Sequence, residues 1–457
     1  MGVNYREVVF PAFSLTGGAR AEPQLGEVKQ IPRVGFPANQ EASAFECYVR
    51  WVGISALVFV LGVPALASSG YLGVLGCIAR PARKAPAKVQ HDRSLPSFTF
   101  VVPAHNEALG IERTIKSLMN VSYPADKFSV LVIADNCSDN TKERAESVGA
   151  RVIERQDLSK PGKGYALDCA FQTLIAEGGT DALVVVDADT DVSPNILSAM
   201  AERLLAGELA MQAHYGVRNI DDSWRTRLMD VAFTLYHGVR SVARERLSLS
   251  AGLRGNGMGF SLDAIRRVPH RSYSLVEDVE YGIELGLQGI RVAYVGEAAV
   301  HGEMVAEGAA SESQRQRWEQ GRRQMISRYV PTLLLRAIRE RNGVLLDLAF
   351  DLLTPPLASV VLYTAVGSTV TLGIVLAGWA GPIVLIPWTL SMASLAVYLA
   401  RGLQMSSQGP RALVDLMHAP KYALWKLGLR LGAGRKSSRG EWVRTARAGE
   451  SHKTSVR

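Results

Sequence analysis

Residues 182–191 read ALVVVDADTD, an apolar run that ends in three carboxylates. The run is short, uninterrupted and rich in valine, which predicts a strand buried on both faces of a parallel sheet. If the extended geometry continues, Asp187 and Asp189 point to the same side, because side chains alternate along a strand. Such carboxylates, together with phosphate oxygens, are the ligands that Mg²⁺ or Mn²⁺ takes beside a nucleotide diphosphate. Asp is also common in turns and helix caps, so the pair alone does not identify a site.

The alternation of strand and helix extends towards the N-terminus from this stretch. Three further apolar, β-branched runs occur there, each followed by a helical stretch: residues 98–102, 129–134 and 150–155. This order predicts an α/β domain whose mostly parallel sheet is covered by helices on both faces. Ligands of such sheets bind at the carboxyl ends of the strands. The polar clusters of this sequence follow the strands at those ends, at residues 103–107, 135–139 and 187–191.

A dinucleotide-dependent dehydrogenase would show the same alternation. Its first strand–helix turn should read GxGxxG, since the glycines let the backbone approach a pyrophosphate. In this chain that turn, residues 103–110, reads PAHNEALG. It has no glycine at the position of closest approach, which excludes the dehydrogenase but leaves the fold class unchanged.

Further acidic residues are candidates for chemistry. Asp135 lies at a predicted strand end, where its carboxylate can accept hydrogen bonds from a nucleobase or ribose, whereas Asp139 is well placed to cap the helix that begins at Thr141. Glu277 and Asp278 precede an amphipathic helix, and a carboxylate at that position can act as a general base. The alternative for this pair is stabilisation of the helix dipole from the first turn.

Residues 314–318 read QRQRW and are the most specific motif of the chain. On a helix, Gln314, Arg317, Trp318 and Gly321 share one face. Arg317 offers a planar donor fork that suits a phosphate leaving group, and Trp318 offers a flat apolar surface for a sugar ring. The alternative is a helix at the membrane interface, where Trp and Arg are both common.

Three apolar runs are long enough to cross a bilayer, which takes about 20 residues. Residues 51–79 carry no charge, and residues 356–377 and 382–399 predict a hairpin of two further spans. The alternative for each run is a buried core helix. The predicted domains are a flexible arm, a first span, a cytosolic catalytic head, interfacial helices, a membrane hairpin and a basic cytosolic tail: residues 1–50, 51–79, 94–330, 331–355, 356–400 and 401–457.

The net charge of +8 is unevenly distributed. Lys and Arg follow the first span directly and outnumber acidic residues twelve to three from Arg401 onward, whereas the N-terminal arm has five of each sign. Cytosolic flanks of membrane spans collect Lys and Arg, so the charge predicts a cytosolic head and tail, and it does not require nucleic acid as a partner. The four scattered cysteines indicate neither a metal site nor a disulfide framework.

The order of these motifs resembles that of the family-2 glycosyltransferases over roughly residues 96–329. Asp135, the Asp187–Asp189 pair, Glu277 with Asp278, and then Gln-x-x-Arg-Trp come in the family's order and precede membrane spans. The closest resemblance is to the branch with cellulose, hyaluronan and poly-N-acetylglucosamine synthases. Two positions depart from the family pattern: Val276 replaces a threonine, and Asp168 stands where many relatives have asparagine.

The resemblance implies a GT-A fold, inversion at the anomeric carbon, and roles for individual residues. Asp278, beside Glu277, would be the catalytic base, Trp318 would contact the acceptor sugar, and Asp187 and Asp189 would hold Mg²⁺ or Mn²⁺. Residues 254–257 would form a small-residue turn beside the donor sugar. The implied donor-binding residues are Pro103, Ala104, Glu107, Asp135, Lys163, Asp187, Gln314 and Arg317.

The expected function is a multi-pass enzyme of the cell membrane that moves a sugar from a nucleotide sugar, a UDP-sugar by resemblance, to a growing extracellular polysaccharide. Three spans are few for a polymer channel. A partner subunit, an oligomer, or a lipid-linked acceptor that receives one sugar would each resolve this. The alternative that is not an enzyme is an inactive nucleotide-sugar-binding membrane scaffold. Such a protein would be expected to have lost one of the carboxylates or the Arg-Trp pair, and all of them are present in this sequence.

Overall fold

The structure is a computed structural model that describes residues 38–80, 94–304, 308–409 and 411–417; the side chains of residues 38–45, 308–318, 413 and 416 are outside this description. Most of the predicted N-terminal arm and residues 418–457 of the predicted basic tail are therefore outside the described residues. The chain divides into two compact units, Met1–Trp51 and Val52–Arg457. The described part of the first unit is helical, and the second unit contains the sheet and the candidate site.

Helices and strands alternate through the first part of the second unit and give way to helices alone. The strands are β1 (Phe98–Ala104), β2 (Phe128–Asp135), β3 (Arg151–Arg155), β4 (Ala182–Val185), β5 (Thr190–Val192), β6 (Ala210–Val217), β7 (Met258–Ser261) and β8 (Val292–Gly302). The α-helices are α1 (Ala38–Ile78), α2 (Ile111–Met119), α3 (Thr141–Ser147), α4 (Lys163–Glu177), α5 (Ile196–Leu205), α6 (Trp224–Phe233), α7 (Arg240–Arg246), α8 (Leu262–Arg267), α9 (Glu277–Leu287), α10 (Gly308–Glu340), α11 (Gly343–Leu353), α12 (Leu357–Leu376), α13 (Ile386–Met405) and α14 (Arg411–Leu416).

In the described residues, the eight strands form one mixed sheet in the order β3-β2-β1-β4-β7-β6-β8-β5. Strands β1 to β4 run parallel, as predicted, because α2, α3 and α4 form the crossovers between successive strands. β7 is antiparallel to both β4 and β6. The predicted α/β class is confirmed, and the carboxyl ends of β1, β2 and β4 lie along one edge.

Helices cover both faces of the sheet. On one face, α2, α3 and α5 bury Ile111, Ile115, Ala145 and Met200 against strand residues such as Phe100. On the other face, α4, α8 and α9 bury Phe171, Ile265, Tyr281 and Leu285 against residues such as Phe260. The apolar runs that predicted β1, β2 and β4 therefore fill two separate cores, since these strands are buried on both sides, whereas the edge strand β3 is partly exposed.

Strand β4 ends at Val185, earlier than the extended geometry assumed for the acidic stretch. Asp187 and Asp189 lie in the following turn, before β5. The argument that strand alternation points both carboxylates to one side is therefore wrong. Their relationship depends instead on the contacts described below.

Three described helices are long and apolar enough to cross a membrane: Glu46–Ile78, Leu357–Leu376 and Pro382–Met405. These agree with the three predicted spans. Glycines let the first and last of them approach closely: a Cβ on Gly73 would lie 2.8 Å from the Ser394 Cβ, and one on Gly76 would lie 3.0 Å from the Tyr398 Cα. Small residues are the usual contact between helices in lipid, where backbones must approach for packing to be effective. The predicted boundary at residue 330 falls inside α10, which continues to Glu340.

Candidate active site

Lys163 is at the centre of the candidate site. It is the first residue of α4, and its ammonium group forms an ion pair with the Asp187 carboxylate. The same ammonium donates a hydrogen bond of 2.6 Å to the Gly255 carbonyl. Burial would lower the pKa of Lys163, but the charges of Asp187, Glu277 and Asp278 together raise it. Lys163 is therefore a permanent cation placed among three carboxylates that are far apart in the chain.

Glu277 and Asp278 are half-buried in the first turn of α9. A Cβ built on Gly255 would lie 3.4 Å from Asp278 Oδ2 and 3.8 Å from Lys163 Nζ, so Asp278 and Lys163 flank the same glycine. Burial raises the pKa of Asp278, against the opposing effects of the Val279 N–H and the Lys163 charge. Burial and the neighbouring Asp278 charge also raise the pKa of Glu277. A carboxylate with a raised pKa, close to a bound substrate, is suited to accept a proton near neutral pH.

The turn at residues 254–257 fixes the relation between these groups. Gly255 and Gly257 have φ of +79° and +70°, in the left-handed region that favours glycine. The buried Asn256 between them accepts a hydrogen bond of 3.2 Å from the Asp187 N–H and donates one of 2.7 Å to Thr190 Oγ1. One asparagine thus ties the turn to both ends of the acidic stretch.

Asp189 lies in the same electrostatic environment as the other carboxylates. Burial, followed by the charges of Asp187, Asp189 and Asp278, raises the pKa of Tyr215. The Asp189 carbonyl accepts a hydrogen bond of 2.9 Å from Arg218, which also forms an ion pair with Glu303. The fold therefore brings the two acidic motifs of residues 187–189 and 277–278 to one place.

A second set of contacts lies at the ends of β1 and β2. Asp135 is buried at the end of β2, and its Oδ1 pairs with Arg155 at 2.5 Å. Asn136 has φ +51° and its side chain donates to Asp135 and accepts from the Asp157 N–H. Sequence reasoning missed Arg155. Its position as the last residue of the neighbouring strand β3, directly opposite Asp135, was the available signal.

The remaining predicted residues of this region lie at or just after the ends of β1 and β2. Pro103 and Ala104 end β1, and the Glu107 N–H donates to Thr141 Oγ1 at 2.8 Å. Asn140, not Asp139, is the N-cap residue of α3, but Asp139 Oδ1 accepts a hydrogen bond of 3.1 Å from the N–H of Thr141, the first residue of the helix. The carboxylate at residue 139 therefore stabilises the loop, whereas Asp135 faces the strand ends.

Gln314, Arg317 and Trp318 lie on α10, as predicted, but their side chains are outside the described residues. Gly321, one turn further along, shows where this helix packs. A Cβ on Gly321 would lie 2.7 and 2.8 Å from the two Cγ atoms of Val276, the residue before the acidic pair. The backbone of α10 therefore contacts the segment that leads into Glu277 and Asp278.

Comparison with known proteins agrees with this arrangement. The family described as "Glycosyltransferase like family 2" matches residues 96–321, about half of the chain, and the match covers the sheet, both acidic motifs and the start of α10. The chain belongs to family 2 of the glycosyltransferases. The fold class predicted from the sequence, a GT-A type sheet with three candidate spans, is confirmed, while membership of the cellulose synthase branch stays a prediction.

Individual relatives of this glycosyltransferase are distant. "Probable glycosyltransferase YdaM" of Bacillus subtilis (strain 168) is 22% identical over 60% of this chain and 65% of its own length. "Beta-monoglucosyldiacylglycerol synthase" of Nostoc sp. (strain PCC 7120) is 25% identical over 63% of this chain and 62% of its own length. The chain thus matches less than two thirds of either relative. Among solved structures, the mannosyltransferase PcManGT from Pyrobaculum calidifontis, in complex with GDP-Man and Mn²⁺, is 16% identical, with a TM-score of 0.43 over 78% of this chain and 99% of that one.

The carboxylate oxygens of the site fit a hard divalent cation that is also bound by the phosphate oxygens of a substrate. Within the described residues, no group of three or more His, Cys, Asp or Glu side chains is arranged to hold a metal by itself. Asp187 and Asp189 supply carboxylates from one turn, and Mg²⁺ is commonly bound by one or two carboxylates, with substrate phosphates completing its shell. These two residues are accordingly the candidates for a metal that binds together with a diphosphate.

Proposed function

We propose that this glycosyltransferase moves a hexose from a nucleotide-diphosphate sugar, in the first instance a UDP-sugar, to a hydroxyl group of an acceptor at the membrane. The observation that carries the proposal is the position of Lys163. Its ammonium group pairs with Asp187 and binds the turn that flanks Asp278. A candidate diphosphate site and a candidate base therefore lie on either side of one cation, as a displacement at a sugar carbon requires.

The proposed reaction is a single displacement with inversion. Asp278 accepts the proton of the acceptor hydroxyl as its oxygen forms the bond to the anomeric carbon and the bond from that carbon to the diphosphate breaks. Glu277 is proposed as the second carboxylate of the site, next to the base, and burial and the Asp278 charge raise its pKa. Lys163 and Arg317 are proposed to stabilise the charge that develops on the departing diphosphate, as cations do at such sites.

A bound Mg²⁺ or Mn²⁺, held by Asp187 and Asp189, would neutralise the diphosphate oxygens of the donor. Asp135, with Pro103, Ala104 and Glu107, is proposed to hold the nucleoside part of the donor. Gln314 and Trp318 are proposed to contact the pyrophosphate and the acceptor sugar. The position of α10 against Val276 supports both roles, because it places the helix beside the candidate base.

A growing polysaccharide is the acceptor predicted from the motif order. A lipid hydroxyl is the second candidate, and two observations favour it. Several relatives carry the name β-monoglucosyldiacylglycerol synthase, and only three described helices are candidate spans, few for one chain to enclose a polymer. A partner subunit or an oligomer would be needed for polymer export and not for transfer to a lipid.

The proposed location is the cell membrane, with the catalytic head of residues 94–330 and the tail in the cytosol. This follows from the Lys and Arg residues after the first span and beyond the last one. It also agrees with the supply of nucleotide sugars in the cytosol. Protease accessibility of the tail in sealed inside-out vesicles checks the orientation.

The test is a donor screen with purified full-length protein in detergent. UDP-glucose, UDP-N-acetylglucosamine, UDP-galactose and GDP-mannose are supplied with Mn²⁺ or Mg²⁺ and with diacylglycerol or membrane extract, and nucleotide diphosphate release is measured. Release above that of the Asp278→Asn variant supports the proposal, and binding of nucleotide without release would assign the chain to the inactive scaffold. A ladder of products indicates a polymerase, and a single added sugar indicates a lipid acceptor.

A further inference from the structure

Tyr236 lies between Arg240 and Arg254. It is next to the turn of residues 254–257, which we call the donor-side turn. The Arg254 guanidinium donates a hydrogen bond of 2.9 Å to the Tyr236 hydroxyl and lies 4.2 Å from the centroid of the ring. The Arg240 guanidinium lies 4.8 Å from the same centroid. Arg254 is buried and begins the turn of residues 254–257. Tyr236 thus connects that turn to α7, which Arg240 begins.

The backbone around Tyr236 has an unusual conformation. Residues Thr234–Val239 form a π-helical turn between α6 and α7. The Leu235 carbonyl accepts the Arg240 N–H and also the Tyr398 hydroxyl, at 2.7 Å, from the last candidate span. π-Helical turns are uncommon and concentrate at functional sites. The turn sets the direction of Tyr236 and is itself held by a membrane helix.

Arg240 and Arg244 lead from this turn to α11. Both guanidinium groups pair with Asp351, at 2.9 and 2.8 Å, and Arg244 also pairs with Asp347 at 2.9 Å. The two arginines are buried, as is Asp347. Although burial opposes it, Arg244 and Arg240 hold the pKa of Asp351 far below its usual range, so this carboxylate is always charged.

Helix α11 is in turn bonded to the first candidate span and to α10. The Tyr71 hydroxyl donates to Asp347 at 2.8 Å and accepts from Arg244 at 2.6 Å. Arg322, one turn beyond Trp318 on α10, donates to the carbonyls of Leu352 and Thr354 at 2.6 and 2.8 Å. The short helix α11 therefore contacts the first candidate span and α10, which carries the Gln-x-x-Arg-Trp motif. Through Arg240 and Tyr236 it is also connected to the donor-side turn.

The bonding is directional at every step. A buried charge that loses its partner is costly, so each ion pair has one favourable arrangement. The turn at the end of the series carries Gly255, whose carbonyl binds Lys163, and Asn256, which binds the Asp187 N–H. A displacement of Tyr236 is therefore transmitted to the groups on both sides of the candidate diphosphate site.

We propose that Tyr236 and Asp351 are positioning residues, which hold the donor-side turn in fixed relation to the membrane helices and to α10. The inference rests on the sugar transfer proposed above. Its consequence is that the acceptor, which arrives along the membrane, meets the donor in the correct geometry. When the connection is weakened, the donor is still bound and cleaved, but water takes the place of the acceptor hydroxyl in a larger share of turnovers.

The test compares Tyr236→Phe with Tyr123→Phe in the full-length protein, using the donor and acceptor that the screen selects. Each change removes one hydroxyl; among the described residues, that of Tyr123 bonds the Pro96 carbonyl, at 2.6 Å, away from the site. For Tyr236→Phe we expect transfer to fall about tenfold, since small misplacements at a reacting centre are costly. Donor affinity is unchanged, and the ratio of diphosphate released to sugar transferred increases. For Tyr123→Phe that ratio stays at the wild-type value.

Asp351→Asn provides a second measurement, with rates expressed per nucleotide-binding site so that misfolded protein does not count. An increased ratio of release to transfer supports the inference, and an unchanged ratio in both Tyr236→Phe and Asp351→Asn overturns it. A wild-type protein that turns over none of the four donors overturns the proposed function together with the inference. An active wild type with unchanged variants overturns the inference alone.

Discussion

The Lys163 ammonium donates a hydrogen bond of 2.6 Å to the Gly255 carbonyl, across 92 residues of sequence. Its other partner is the Asp187 carboxylate. The contact thus connects the start of α4, the acidic turn after β4 and the turn that flanks Asp278. The first three predictions concern Lys163 itself and the two carboxylates, Glu277 and Asp278, whose charges act on it.

Lys163→Met leaves Asp187 without its cation beside two further carboxylates. We expect the free energy of unfolding to fall by about 1–3 kcal/mol, the usual range for a hydrogen bond to a charged group. Nucleotide diphosphate release should fall as well. Thermal unfolding in detergent and the release assay measure the two effects, and Lys163→Arg, which keeps the charge, is the control. Wild-type turnover in Lys163→Met would remove this lysine from the site.

Asp278→Asn removes the proposed base and keeps the shape of the side chain. Transfer should fall by about 10²–10⁴-fold, the usual contribution of a general base, while donor affinity is retained. Initial rates and nucleotide binding by calorimetry check this. Glu277→Gln is the matched variant and should retain more activity, because the proposed base, Asp278, is still present. The reverse order of the two variants would assign the base to Glu277.

The rate of transfer should rise with pH. Burial raises the pKa of both acidic residues, that of Glu277 to about 7. A base works only when it is deprotonated, so activity is low below the raised pKa and reaches its plateau above it. Because Asp278 is the proposed base, we expect kcat/KM to increase as the pH passes through its raised pKa, above the usual range of an aspartate at about pH 4. A profile that is flat or falls as the pH rises contradicts an acidic base with a raised pKa.

Chelation should stop turnover without unfolding the protein. EDTA removes the metal proposed at Asp187 and Asp189, and added Mn²⁺ or Mg²⁺ restores diphosphate release. The melting temperature of the ligand-free protein should not change on chelation, because Lys163 already neutralises Asp187. A large loss of melting temperature in EDTA would instead indicate a structural metal. Asp189→Asn should raise the metal concentration needed for half-maximal release.

Gly321→Ala tests the contact between α10 and the segment before the acidic pair. The added methyl group would lie within 2.8 Å of both Val276 Cγ atoms, so α10 must move. We expect a loss of about 1–3 kcal/mol of stability, typical of overpacking, and reduced transfer. Gly373→Ala, where nothing lies within 4 Å of the added Cβ, is the control and should be neutral. Restoration by Val276→Ala in the Gly321→Ala background would show that the effect is steric.

Local patterns predicted the parallel half of the sheet well. The apolar runs that became β1, β2 and β4 are buried on both faces, so composition alone identified them. A bond from Asp139 to the start of α3 was predictable for the same reason, because the carboxylate and the helix are adjacent in sequence, although the N-cap residue is Asn140. The three candidate spans also follow from run length.

Partners that are distant in sequence were not predictable. Val185 pairs with Met258 in an antiparallel arrangement, and nothing in either run specifies the other. Asp135 was identified, but its partner Arg155 was not, because the pairing depends on the register of β2 with β3. The π-helical turn at Tyr236 likewise depends on contacts with α13 and α7, which no short window of sequence contains.

The contact between Gly73 and Ser394 has a consequence for biogenesis. It joins the first candidate span to the last described one, and the ribosome makes the segment of Gly73 long before that of Ser394. The first of these helices is therefore without this partner until the segment that carries Ser394 has been made. Tyr398, on the same late helix, reaches Arg240 only then. A chain that ends before this segment therefore lacks the contacts that join Gly73 and Arg240 to the last candidate span.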